Sequence, residues 1–268
     1  MEEPQRDSNS LWFERVSPTR DPLIRLFCFP HAGGNAHVFR EWQRDFGPNV
    51  DVCLVHLPGR ARRLGERPRT RLRPLVEELA DAIRANLDRP FAFYGHSMGA
   101  LISFELAREL RRRKWPLPTH LFVSACRSPI KVRSVPPSFN LPVDEFMALL
   151  QKLNGTPKEF YDHAEIQVTL LPMLRADFEL TDTYEYLAES PLDCPITIYG
   201  GKADHLAPPE SLYSWDLETS AEYRLRLFDG DHFFIHSHKT EFFAALHRDL
   251  LEAVTASSIS EEITLPTQ

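Results

Sequence analysis

The chain has 268 residues, a formal charge of −7 and 43% hydrophobic residues, which suits one large domain or one domain carrying an insertion and excludes a disordered chain. The negative balance speaks against non-specific nucleic-acid binding, and no window approaches the roughly 18 uninterrupted apolar residues of a membrane-spanning helix. The start, "MEEPQRDSNS", is acidic and polar, the reverse of a secretory signal, so a cytoplasmic protein without membrane or nucleic-acid partners is expected, and a monomer.

Residues 1–20 read as an N-terminal extension, partly flexible, ahead of the first part of a core at 21–133. The first strand is "RLFCFP" (25–30), followed by "HAGGN", a glycine-bearing loop. "DVCLVHLP" (51–58) is the second strand. After it "RARRLGERPRTRLR" (60–73) sets seven arginines against one glutamate, and "LVEELADAIRANL" (75–87) has helical spacing. Next come the strand "FAFYG" (91–95), the helix "MGALISFELARELRRR" (98–113) and the strand "HLFVSAC" (120–126). From about 134 to 190 no strand appears. "PVDEFMALLQKL", a "NGTP" break and "AEIQVTLLPMLRADFELTDTYEYL" read as helices, with Pro142, Pro157 and Pro172 expected at helix starts or in loops.

The second part of the core, 191–256, holds the strands "ITIYG" (196–200) and "YRLRLF" (223–228) and the helix "EFFAALHRDLLEAV" (241–254). The tail from 257 to 268 lacks a periodic apolar face and is expected to be flexible. The first five strands are largely continuous in apolar character, as strands covered on both faces should be. Strands alternating with helices imply an α/β fold: a mostly parallel central sheet with helices on both faces. The helical insertion is a candidate lid over the carboxyl ends of the strands. Cys28, Cys53, Cys126 and Cys194 are scattered, show no CxxC, and read as free thiols behaving as small hydrophobes.

"GHSMG" (95–99) matches the G-x-S-x-G nucleophile elbow, and its setting between a strand and a helix is the one that motif requires. A serine hydroxyl needs a base, and the chain order in this fold is Ser, acid, His. "GKADHL" places Asp204 after the strand at 196–200, and "DGDHFF" places His232 after the next, on the same rim as Ser97. The oxyanion hole needs the backbone N–H of Met98 and another from the loop after an early strand, where "HAGG" lies. Asp193 and Asp177 are placed poorly for the acid, and Asp231 adjoins the histidine too closely. His96 and His205 read as structural or substrate-side. His236 and His238 lie near His232, but no carboxylate or thiolate pattern completes a zinc site, so no metal and no cofactor are expected.

"FPHAGG", "HLPGR", "YGHSMGA", "NGTP", "LLPMLRADFELTDTY", "YGGKAD" and "DGDHFF" together resemble the stand-alone type II thioesterases of polyketide and nonribosomal peptide pathways, members of the α/β-hydrolase superfamily, over roughly Leu26 to Leu250. The resemblance implies a triad of Ser97, Asp204 and His232, with oxyanion amides from Ala32 and Met98. It implies that the insertion is a lid over a channel for an acyl-phosphopantetheine arm. It further implies acyl and peptidyl carrier proteins as partners and removal of aberrant or stalled acyl groups as the task. Release of finished chains, such as medium-chain fatty acids, and a general carboxylesterase or acyltransferase with the same triad stay open. The basic runs at 60–73 and 108–114 are candidates for steering an acidic carrier protein.

Overall fold

A computed structural model of the chain describes residues 11–18, 21–130 and 136–264, with side chains as far as 255. Its sheet has seven strands: β1 (Phe13–Arg15), β2 (Ile24–Phe29), β3 (Val50–Val55), β4 (Phe91–His96), β5 (His120–Ser124), β6 (Ile196–Gly201) and β7 (Tyr223–Phe228). Their order is β1-β3-β2-β4-β5-β6-β7, parallel throughout except for β1, which runs antiparallel to β3 with Phe13 opposite Val55. β2 to β6 are buried along their whole length, which explains their largely apolar sequences; the charges within them, Arg25 of β2 and Asp51 of β3, pair with each other at 2.9 Å.

Around the sheet stand the α-helices α1 (Trp42–Phe46), α2 (Leu72–Ile83), α3 (Met98–Arg112), α4 (Val143–Leu153), α5 (Lys158–Asp162), α6 (Ala164–Asp182), α7 (Phe234–Ser237) and α8 (Lys239–Thr264), with short 3-10 turns between them. Strand alternation splits the core in two. Phe91 and Phe93 of β4 pack on one face with Leu75 and Leu79 of α2 and Ile102 of α3. Ala92 and Tyr94 point the other way, onto Trp42 of α1 and Phe242 and Leu246 of α8. A third cluster, with Phe146, Leu150, Phe160 and Leu174, gives the helices between β5 and β6 a small core of their own.

The structure departs from the sequence reading at several points. β1 was not expected; it falls within the N-terminal extension read as partly flexible, where Trp12 and Phe13 are buried. Pro142 and Pro157 directly precede α4 and α5, but Pro172 lies inside α6 rather than at a start or in a loop. A proline there deprives the carbonyl of Val168 of its donor. Val168 is 76% exposed, so the break falls on the solvent-facing side of α6, and the helix continues through it. α8 continues to Thr264, past the periodic stretch that ends at 254. The expected start of the insertion at 134, residues 1–10 of the extension and residues 265–268 of the tail lie outside the described residues.

Candidate active site

β4 ends at His96 and α3 begins at Met98, so the turn between them is the single residue Ser97. It is held at φ 54°, ψ −116°, a conformation an L-residue adopts only under constraint. Its N–H donates to the carbonyl of Ser124 on neighbouring β5 at 2.8 Å, and its own carbonyl accepts from Ala100 at 3.0 Å. The turn brings α3 down hard on the sheet. A Cβ on Gly95 would stand 2.3 Å from the carbonyl oxygen of Gly99, which is why the residue before His96 carries no side chain.

β6 and β7 are adjacent and parallel, so the loops after them share a rim with Ser97. Asp204 follows β6 and His232 follows β7, and the His232 Nδ1–H donates to Asp204 Oδ2 at 2.8 Å. The other carboxylate oxygen accepts the backbone N–H of Leu206 at 2.7 Å and of Ala207 at 2.9 Å. Burial pushes the Asp204 carboxyl up, but the hydrogen bond and charge of His232 and the two amides outweigh it and hold the group below its ordinary value. With Nδ1 donating, a neutral His232 keeps Nε2 as its acceptor. The rings of His96 and Phe233 lie 5.4 and 5.2 Å from the His232 ring and hold it in place.

Gly34 donates to the carbonyl of His31 at 3.0 Å, closing a tight turn in which Gly33 takes φ +75°. The His31 Nδ1–H donates to the carbonyl of Ala32 at 2.9 Å, and burial lowers the His31 ring to about 4, so it is neutral at pH 7. Gly33 donates its N–H to Asp177 Oδ2 at 2.8 Å. Among the described residues, neither the Ala32 N–H nor the Met98 N–H is taken by a protein acceptor.

The remaining candidates make no bond to the Asp204 carboxylate. His96 is buried, neutral and bonded through Nδ1 to Ser124 Oγ at 2.9 Å. His205 is exposed, His236 stacks on Phe233, and His238 meets Ser237 Oγ at 3.0 Å. Asp231 accepts the N–H of Phe233 at 2.9 Å, and Asp193 precedes β6. Glu14, His37 and His56 bring possible ligand atoms within 4.8 Å of one another. Arg40 and Arg62 also turn toward Glu14, so a cation there would meet two guanidinium charges. The cysteines are free; Cys126, half-buried on the cavity wall, has its thiol pushed up to about 12 by burial and is a poor nucleophile. Arg60 was not singled out from the sequence, and Asp177 was weighed only as a triad acid; their part emerges below.

Ser97, Met98, Ala32 and His232 share the wall of one cavity of about 670 Å³. The insertion supplies much of the rest: apolar Leu150 of α4 and Leu174 and Phe178 of α6, together with polar Thr181, Asp182 and Glu185. Such a chamber suits an acyl chain.

The mostly parallel sheet, with Ser97 in the turn after β4 and the bonded pair Asp204 and His232 in the loops after β6 and β7, has the architecture of an α/β-hydrolase. Within that fold, the model of the thioesterase domain family matches residues 24–250, and the chain belongs to this family. It is 41% identical over 239 residues to the gramicidin S biosynthesis protein GrsT of Aneurinibacillus migulanus, covering 89% of this chain and 93% of that one. It is 33% identical over 240 residues to thioesterase PikA5 of Streptomyces venezuelae, covering 87% and 83%. The solved type II thioesterase BorB from the borrelidin biosynthetic cluster superposes with a TM-score of 0.82 at 31% identity, covering 91% of this chain and 98% of that one. Among the described residues, no helix is long and apolar enough to cross a membrane.

Proposed function

We propose that the protein hydrolyses the thioesters joining acyl groups to the phosphopantetheine arm of acyl or peptidyl carrier proteins, clearing aberrant or stalled intermediates of nonribosomal peptide or polyketide synthesis. The observation that carries this reading is the shared cavity, which brings Ser97, His232 and two unengaged amides together with apolar side chains of the insertion such as Leu150, Leu174 and Phe178. Relatives named for gramicidin S and borrelidin biosynthesis support the pathway class.

Ser97 attacks the thioester carbonyl while His232 Nε2 takes the hydroxyl proton, and Asp204 stabilises the imidazolium that forms. The carbonyl oxygen gains negative charge and is met by the N–H groups of Ala32 and Met98. Collapse breaks the C–S bond, and the thiolate leaves with the proton from His232. A thiol of pKa about 8.5 departs far more readily than an alcohol. Water, losing its proton to His232, then attacks the acyl-serine; the acid is released and Ser97 regains its proton.

Many arginines of the two basic runs are already paired within the molecule. Arg63 pairs with Glu66, Arg69 with Glu78, Arg71 with Glu179, and Arg108, Arg111 and Arg112 converge on Glu189. Much of their charge is therefore answered within the molecule.

The test compares kcat/KM for an acyl-carrier thioester with that for the p-nitrophenyl ester of the same acid. A clear preference for the carrier thioester is expected; parity, or preference for the oxygen ester, would make the protein a general carboxylesterase. Product analysis with added alcohols and amines separates hydrolysis from acyl transfer.

A further inference from the structure

Two sequence motifs that the triad leaves unused, "HLPGR" and "LLPMLRADF", meet under the loop that carries Ala32. Asp177 lies on α6 and Arg60 follows β3, 117 positions apart, and both are buried. Arg60 Nη1 donates to Asp177 Oδ2 at 2.8 Å and Nη2 to Oδ1 at 2.5 Å, a bidentate pair. Nη1 also donates to the carbonyl of Gly34 at 3.0 Å, and Asp177 Oδ2 accepts the Gly33 N–H at 2.8 Å. One turn earlier on the same face of α6, Leu174 packs so closely that a Cβ on Gly33 would stand 2.4 Å from its Cδ2.

The peptide unit between Ala32 and Gly33 is thus pinned at both ends. Its carbonyl accepts from His31 Nδ1 and its N–H is drawn to Asp177. The unit before it, which carries the Ala32 N–H, is planar too, and its His31 carbonyl is held by the Gly34 N–H at 3.0 Å, so little freedom is left to the Ala32 amide. Drawing Gly33 away also decides which amide of this glycine-rich loop is left free. The free one is Ala32, on the cavity wall.

We propose that Asp177 and Arg60 are positioning residues for the oxyanion hole: the insertion's longest helix reaches across the core and sets the aim of the Ala32 amide, so that only a seated insertion presents a complete site. The proposal rests on the reading of Ala32 as an oxyanion donor. It also assigns the C-terminal half of α6 to the fixed frame of the site, because lifting it would strip Gly33 of its acceptor and leave the buried Arg60 without its counter-charge.

The test pairs kinetics with amide exchange. Asp177→Leu combined with Arg60→Met removes the acceptor for Gly33 and both charges together, so no buried ion is stranded. On acyl-N-acetylcysteamine thioesters this variant should lose roughly 10- to 100-fold in kcat with KM little changed, as misplacing one oxyanion donor predicts. Asp177→Asn keeps an oxygen for the Gly33 N–H and should recover part of the loss. In the unaltered protein, NMR should find the Gly33 amide protected from exchange and the Ala32 amide open, with Ala32 becoming protected once a fluorophosphonate has phosphonylated Ser97. If Ala32 is protected in the adduct but the double variant turns over like the parent, or the Gly33 amide exchanges freely, the clamp is wrong while the oxyanion assignment stands. If Ala32 exchanges as fast in the adduct as before, the oxyanion assignment fails and takes the proposal with it.

Discussion

Gly99, in the first turn of α3, faces the carbonyl of Phe29 at the end of β2 so closely that a Cβ on it would stand 2.1 Å from that oxygen. The obstacle is backbone of a central strand, which cannot swing aside as a side chain can. Gly99→Ala must therefore displace either α3 or the chain leading into the Ala32 loop, and both carry parts of the site. Overpacking of this kind costs about 1–3 kcal/mol or more. The variant should melt at a lower temperature, and its folded fraction should turn over poorly. Thermal denaturation together with active-site titration checks both; a parent-like melting temperature would show that the elbow has slack the geometry denies.

The bond between His232 and Asp204 makes a sharper prediction. Asn at 204 preserves size but offers an amide where the imidazole N–H now donates, favouring the wrong tautomer. Asp204→Asn should lower kcat by roughly 10³- to 10⁴-fold while leaving the fold intact by circular dichroism. His232→Ala should be at least as damaging. His236→Ala should matter little, because that ring stacks on Phe233 and has no bond to Asp204. The reverse ranking of the two histidines would overturn the choice of base.

What the sequence reveals and hides follows from the range of the interactions involved. β2 to β6 were legible because burial on both faces writes a local apolar run, and Ser97 because a one-residue turn between strand and helix demands small neighbours. β1 was not legible: "FER" has no strand signature of its own and exists through its pairing with Val55, Leu54 and Cys53. Pro172 was misread because propensity is local, whereas α6 is held by the packing of Met173 and Leu174. Arg60 and Asp177 are ordinary residues in one dimension, and only the fold brings them together. The pairing of the arginine run was hidden for the same reason, because its partners, Glu78 and Glu179 among them, arrive from other segments.

Whether this stretch steers a carrier protein can be tested directly. Arg63 is buried, lies 3.7 Å from the ring centre of Trp12 and donates to the carbonyl of His56 at 3.0 Å. Arg63→Glu strands a carboxylate in that position and should destabilise the fold by about 3–5 kcal/mol, cutting turnover of carrier-bound and small thioesters alike. Arg67 is exposed, so Arg67→Glu tests steering without disturbing the core. Its KM for a carrier-bound substrate should shift by no more than about 3-fold. A tenfold rise confined to carrier-bound substrates would restore this stretch as a docking surface.

Acid should weaken the protein before its carboxylates titrate, because several buried histidines refuse protons that the unfolded chain accepts. His120 is the clearest case. It opens β5, stacks on Phe122 at 4.3 Å, bonds Thr197 Oγ1 through Nε2 at 2.8 Å, and is lowered by burial from 6.5 to about 4. Between those values the unfolded state binds the extra proton, so stability is complete above pH 6.5, falls as the pH drops through the window, and levels off below about 4. His31 and His56, also lowered to about 4 by burial, add to the same slope. His120→Gln keeps a polar partner for Thr197 but cannot titrate. Urea unfolding at pH 7 and pH 4.5 should show the variant losing roughly 2 kcal/mol less than the parent over that interval, at 1.36 kcal/mol per pKa unit. Equal losses would mean that His120 takes up its proton within the folded state.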